Sequence, residues 1–162
     1  VKINARSIVI AAAGVLLVAA VVVGSLVADR FWSDRTAERN RTSAAAFAQD
    51  TVEDLFTYNY DSAEKELPKV ADRLSGAYRD SYMQVINEQA IPAAKEKKLN
   101  VQTIVQATGV IDSTRDSVTV LVIADQRFSS SDSGKETLAS DRLQVKLTKH
   151  KDSWLVSDIK TI

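Results

Sequence analysis

The chain has 162 residues, 45% hydrophobic and 26% charged, with 5 Gly and 2 Pro, a composition that excludes a long disordered chain and leaves room for one globular domain beside a membrane span. Lys plus Arg equals Asp plus Glu at 21 each, and Lys2 and Arg6 are the only charges before Asp29, so the part that follows is slightly acidic and does not fit a nucleic-acid binder. With no cysteine, disulfides, thiolate nucleophiles and cysteine metal ligands are excluded.

After a short tail, residues 1–7, the stretch from Ile8 to Ala28 carries no charge and only one polar side chain, Ser25. A helix through Ile8, Gly14, Leu17, Val21, Gly24 and Ala28 is long enough to cross the ~30 Å hydrocarbon core while satisfying its own backbone bonds. Phe31 and Trp32 fall where an interfacial anchor sits. A cleaved signal peptide ending near Val23-Gly24-Ser25 is the alternative, and the apolar run is longer than the ~7–15 residues of such a segment. Lys2 and Arg6 on one side against Arg30, Arg35, Arg39 and Arg41 on the other leave orientation open, with the bare charge count favouring a cytoplasmic domain.

Residues 29–43 carry charge on every face, as a solvated helical stalk would; the domain proper is expected over 44–162. From Ser33 to about Tyr60 the apolar residues Ala37, Ala44, Ala45, Phe47, Ala48, Val52, Leu55 and Phe56 recur at spacings of three and four, which predicts an amphipathic helix whose packing begins near Ala44. A short helix over Ala63 to Val70 is expected to break at Leu67-Pro68. A longer one follows Ser75-Gly76, with Ala77, Tyr78, Tyr82, Val85, Ile86, Gln89 and Ala90 on one stripe and a kink or restart at Pro92.

The period then changes. Val101, Thr103, Val105, Ala107, Gly109 and Ile111 alternate with polar residues as a half-buried strand. Val118 to Phe128 is β-branched on both faces, which predicts a central strand covered on two sides, and Phe128 to Gly134 reads as a polar loop. Leu143, Val145 and Leu147 alternate again, a turn falls at Lys149 to Ser153, and Trp154 to Ile162 closes the chain. The fold class is therefore α+β, with about three helices filling the concave face of a curved antiparallel sheet of three to four strands.

Tyr58-Asn59-Tyr60-Asp61, the run from Ser75 through Gly76 and Tyr78 to Tyr82, and the closing Trp154-Leu155-Val156-Ser157-Asp158-Ile159 occur in an order that resembles the actinobacterial Mce-associated membrane proteins over nearly the whole chain. That resemblance implies a cone-shaped, nuclear transport factor 2-like domain, a fold also used by an inner-membrane assembly component of type IV secretion systems. It implies a cytoplasmic N-terminus, an extracytoplasmic domain, and an accessory role beside Mce transporter subunits that move lipids or sterols. Tyr58, Tyr60, Gly76, Tyr78, Tyr82 and Trp154 are the family-like positions.

Few residues suggest chemistry. His150, the sole histidine, lies among charges in an expected surface turn, where a general base has no partner. Asp125 with Tyr78 or Tyr82 is the one arrangement that an isomerase or dehydratase of this fold could use. The tyrosines and Trp154 either pack the core or line a lipid or partner surface. The leading expectation is a non-enzymatic scaffold without metal or cofactor; a lipid or sterol carrier, a secretion-system assembly factor and a cone-fold enzyme are the alternatives.

Overall fold

The structure, a computed structural model, describes residues 38–131, 134 and 136–162. The tail, the span with Ile8, Gly14, Leu17, Val21, Gly24 and Ala28, the anchors Phe31 and Trp32, and the first part of the stalk lie outside the described residues. Among the described residues no helix is long and apolar enough to cross a membrane. Residues Asn40–Ile162 form a compact unit.

Helix α1 covers residues 38–56. Ala44, Ala48, Thr51, Val52 and Leu55 form its buried face, and the small side chains at 44 and 48 let its backbone approach the sheet closely. Helix α2, Ala63–Val70, has Glu64 and Glu66 in its first turn and Lys69 in its last, each placed to complement the helix dipole. The expected break at Leu67-Pro68 does not occur: Pro68 lies inside α2, which runs into a 3-10 turn at Ala71–Arg73. The one bond Pro68 forfeits is to the carbonyl of Glu64, on the exposed side of the helix.

Helix α3, Gly76–Val85, continues through a π turn at Ile86–Ala90 into α4, Ile91–Lys97, so the three form one rod with a register change. The restart expected at Pro92 is present, and the wider π turn supplies it. The expected stripe narrows to Tyr78, Tyr82, Ile86 and Ala90, four residues apart; Ala77 and Gln89 face solvent and Val85 is 48% exposed. Lys98, in the left-handed region at φ 45°, ends the rod.

Strands β1, Leu99–Ser113, β2, Ser117–Ser130, β3, Glu136–His150, and β4, Ser153–Thr161, form an antiparallel meander in the order β1-β2-β3-β4. The fold class read from the sequence is the one observed, three helical segments on four strands. Three details differ. A bulge between Val105 and Ala107 shifts the phase of β1, so Val105 and Val110 pack on the core while Ala107, Gly109 and Ile111 are exposed. On β2, Val118, Val120, Val122 and Ala124 are fully buried under α1, but Thr119, Leu121, Ile123 and Asp125 on the other face are only half-buried, because the helices cover one side. The expected loop from Phe128 starts later, since Phe128 to Ser130 extend β2.

The main core joins Ala44, Ala48, Val52 and Leu55 to Val118, Val120, Val122, Val145, Leu147, Trp154 and Val156. A smaller cluster of Ala63, Leu67, Ile86, Ile91 and Ala94 holds α2 against the rod. At the entry to α3, Ser75 donates its N–H to the Val156 carbonyl at 2.9 Å and Gly76 follows at φ +51°, in the left-handed region that favours glycine. An added Cβ there meets nothing within 4 Å, so Gly76→Ala isolates the backbone cost. Urea unfolding should show a loss of about 1–2 kcal/mol.

Candidate functional site

A mostly apolar depression with a few polar groups, the usual form of a small-molecule or anchor site, opens on the described surface. It has a volume of about 290 Å³ and lies where the end of α1, helix α2 and the rod meet, lined by Leu55, Phe56, Tyr58, Leu67, Tyr78, Ser81, Tyr82, Val85, Ile86 and Ala90. Three local features build it. Tyr58, just past α1, is fixed by a two-way bridge to Val101, its N–H donating to Val101 O at 2.9 Å and its carbonyl accepting from Val101 N at 2.8 Å. Tyr78 and Tyr82 share a face of α3 through their four-residue spacing. The π turn sets Ile86 and Ala90 beside them.

Tyr82 Oη donates to the Leu67 carbonyl at 3.2 Å, tying the rod to α2. Tyr58 and Tyr78 have no hydrogen-bond partner for their hydroxyls among the described residues. Burial pushes the phenols up, Tyr78 to about 12 with a further push from Asp158, Tyr82 beyond that with help from the neighbouring tyrosines, and Tyr58 in the same direction. A site of neutral phenols and aliphatic walls binds by shape and by O–H donation; it has no group poised to take or give a proton near neutral pH.

The other family-like positions lie elsewhere. Tyr60 packs against the smaller cluster, and Gly76 serves the entry to α3. Trp154 is core: it is 7% exposed, its indole N–H donates to Ser43 Oγ at 3.0 Å, and Lys149 Nζ stands 5.7 Å above its ring. His150 is exposed at the end of β3. Asp125 accepts from Ser140 Oγ on the face of β2 opposite Ala124, whereas Tyr78 and Tyr82 pack on the core side, so the acid and tyrosine do not meet. Among the described residues no group of His, Asp or Glu could hold a metal ion. Leu55, Phe56 and Ile86 read in the sequence as positions on apolar helix stripes, and Leu67 only as part of a helix break; nothing there signalled that they would wall a depression.

This architecture, helices packed on one side of a four-stranded antiparallel meander, is similar to that of solved domains from type IV secretion systems. An IcmL-like type IV secretion system protein from Legionella pneumophila superposes with a TM-score of 0.66 at 11% identity, covering 75% of this chain and 91% of that one. The periplasmic domain of DotI gives 0.65 at 16% identity, covering 75% and 94%, and the VirB8 protein of Agrobacterium tumefaciens 0.61 at 14%, covering 76% and 92%. Such identities establish the fold alone.

Family membership comes from sequence. Residues 6–162 match the family described as uncharacterized protein Rv1363c/MT1408-like, and the chain belongs to it. Two Mycobacterium tuberculosis relatives fit the same picture. Uncharacterized protein Rv1362c is 28% identical over 143 residues, 88% of this chain and 65% of its own length; outer membrane protein Rv1973 is 27% identical over 134 residues, 81% of this chain and 83% of its own. The chain thus spans just under two thirds of the first of these.

Two measurements test the site. Tyr82→Phe should cost about 0.5–1.5 kcal/mol in urea unfolding through loss of the bond to Leu67. The phenols of Tyr58, Tyr78 and Tyr82 are held above their unfolded pKa of about 10, so the stability they supply should be intact below pH 10 and fall as pH rises toward 12, tracked by unfolding alongside tyrosinate absorbance.

Proposed function

We propose that this protein is a non-enzymatic assembly subunit of a cell-envelope complex, held at the membrane by the apolar segment 8–28 with its folded unit on the extracytoplasmic side. The observation that carries this reading is the filled concave face. Enzymes and carriers of cone-shaped folds need an open interior, and here α1 occupies it, with Ala44, Ala48, Val52, Val120, Val122 and Val145 all fully buried. The apolar depression at the end of α1, about 290 Å³, is at the small end of the ~300–1,000 Å³ usual for small-molecule sites, which favours an anchoring side chain of a partner over a bulky lipid cargo.

The neighbouring folds support a role in assembly, since they are named as type IV secretion proteins and periplasmic domains. The machine served is either a secretion-type apparatus, as those names suggest, or an Mce-type lipid or sterol importer, as the motifs around Tyr58, Gly76 and Trp154 imply. Tethering to the bilayer raises effective concentration, so a modest contact is enough to hold a subunit in place.

Crosslinking in native membranes, followed by affinity purification of the full chain and mass spectrometry, distinguishes these. Recovery of integral-membrane subunits of one machine supports the reading and identifies which machine it is. Recovery of the protein alone, carrying a stoichiometric lipid, overturns it in favour of a carrier.

A further inference from the structure

The bridge between Tyr58 and Val101 adds a short row of chain outside β1. Antiparallel order sets Thr57 beside Gln102 and Asn59 beside Asn100, and the β1–β2 register continues the rows to Arg127 and Ser129. Val101 is buried on the helix side, and neighbouring residues of a strand turn opposite ways, so these six side chains share the face that turns away from the helices. They form two rows of three over about 10 Å by 7 Å. Together they line a depression of about 280 Å³.

One guanidinium, three amides and two hydroxyls surround this space, with no acid among them. Among the described residues the side chains of Asn59, Gln102, Arg127 and Ser129 have no hydrogen-bond or ion-pair partner. Thr57 Oγ1 accepts from the Thr103 N–H at 3.0 Å, and Asn100 Nδ2 donates to Ser131 Oγ at 3.5 Å. Asn100 Oδ1 is screened from solvent and accepts from nothing, a state that costs stability until a donor reaches it.

This set of groups discriminates between ligand classes. An orphaned carbonyl oxygen needs a donor, which an oxyanion lacks, and Glu136, facing Ser129 from β3, weakens the field an anion would need. Arg127 repels an ammonium. Because the one apolar residue of the lining, Val101, has its side chain in the core, an acyl chain or aromatic anchor finds no wall to bury against. A peptide strand finds no ladder either, since the outer main-chain groups at Val101 and Thr103 are already bonded. A hydroxyl donates and accepts through one atom, which is what a mixed array of amides and guanidinium requires. We infer that the depression binds one hydroxylated ring of a saccharide, with Arg127 and Gln102 donating to its oxygens and Asn100 Oδ1 accepting from a hydroxyl. The last torsion of an asparagine is broad, so a small turn presents that oxygen to the ring. With no aromatic face to stack on, a single contact has a Kd on the order of 1 mM, and a repeating polysaccharide met by many tethered copies gains by multivalency. The inference goes beyond the assembly role and stands or falls separately from it.

In nitrogen-15-labelled full chain held in detergent micelles, the side-chain amide signals of Asn59, Asn100 and Gln102 and the Arg127 Nε–H should move saturably with at least one of cellotetraose, maltotetraose, mannotetraose and tetra-N-acetylchitotetraose. Arg127→Ala and Gln102→Ala should each weaken that binding at least about fivefold while the backbone spectrum keeps its dispersion. Lys146→Ala, on the same face of the sheet but outside the depression, should leave it unchanged. No saturable shift with any of the four sugars up to about 50 mM, or an equal loss in Lys146→Ala, overturns the proposal. So does tighter binding of inorganic phosphate than of every sugar, which would mark an oxyanion site.

Discussion

Everything in this unit depends on how closely α1 can lie under the sheet. Alanines at 44 and 48 bring the helix backbone down onto Val118, Val120, Val122 and Val145, and the apolar area removed from water there, at roughly 25 cal/mol per Å², is the main stabilising term. A larger residue at either alanine would lift the helix off four strands at once. The same contact fixes where open space lies, because the helix fills the room beneath the middle strands and the apolar depression is left at its end.

Burial is not entirely clean. The Thr51 hydroxyl on α1 is shielded from solvent without a partner, a cost that the surrounding aliphatic contacts offset. Around the helix, polar contacts concentrate at its two ends: Ser43 receives the Trp154 indole and Asn40 receives Lys149 at 3.3 Å, while Glu53 and Thr57 serve β1. The ion pairs Arg73–Asp54, Arg79–Asp72 and Lys95–Glu64 are all solvent-exposed and add little to stability, though each marks where one helical segment meets its neighbour.

What the sequence revealed and what it hid divide along one physical line. Spacings of three and four on α1 and of two on β3 are set by single-element burial, so Val52 and Leu147 were legible as core residues, whereas β2, β-branched on both faces, did not reveal which of its faces the helices would cover. The phase shift in β1 and the π turn at Ile86–Ala90 each add one residue to an otherwise regular element, and neither has a local residue signature; Gln106 looks like any polar strand residue. The tyrosines were legible as amphipathic. Their division was not: Tyr58 reaches Tyr78 and Tyr82 only because its backbone bridges to Val101 far along the chain, while Trp154, apparently equivalent in pattern, is held under α1 by Ser43.

The two-ended fastening of α1 has a mechanical consequence. Asn40 and Ser43 are pinned to the β3–β4 hairpin, and Glu53, Thr57 and Tyr58 to the opposite edge strand, so a pull applied at the start of the helix is resisted in shear along its whole length instead of peeling it off turn by turn. A body built this way carries a load applied near Asn40 to the far side of its sheet, yielding only when many contacts fail together.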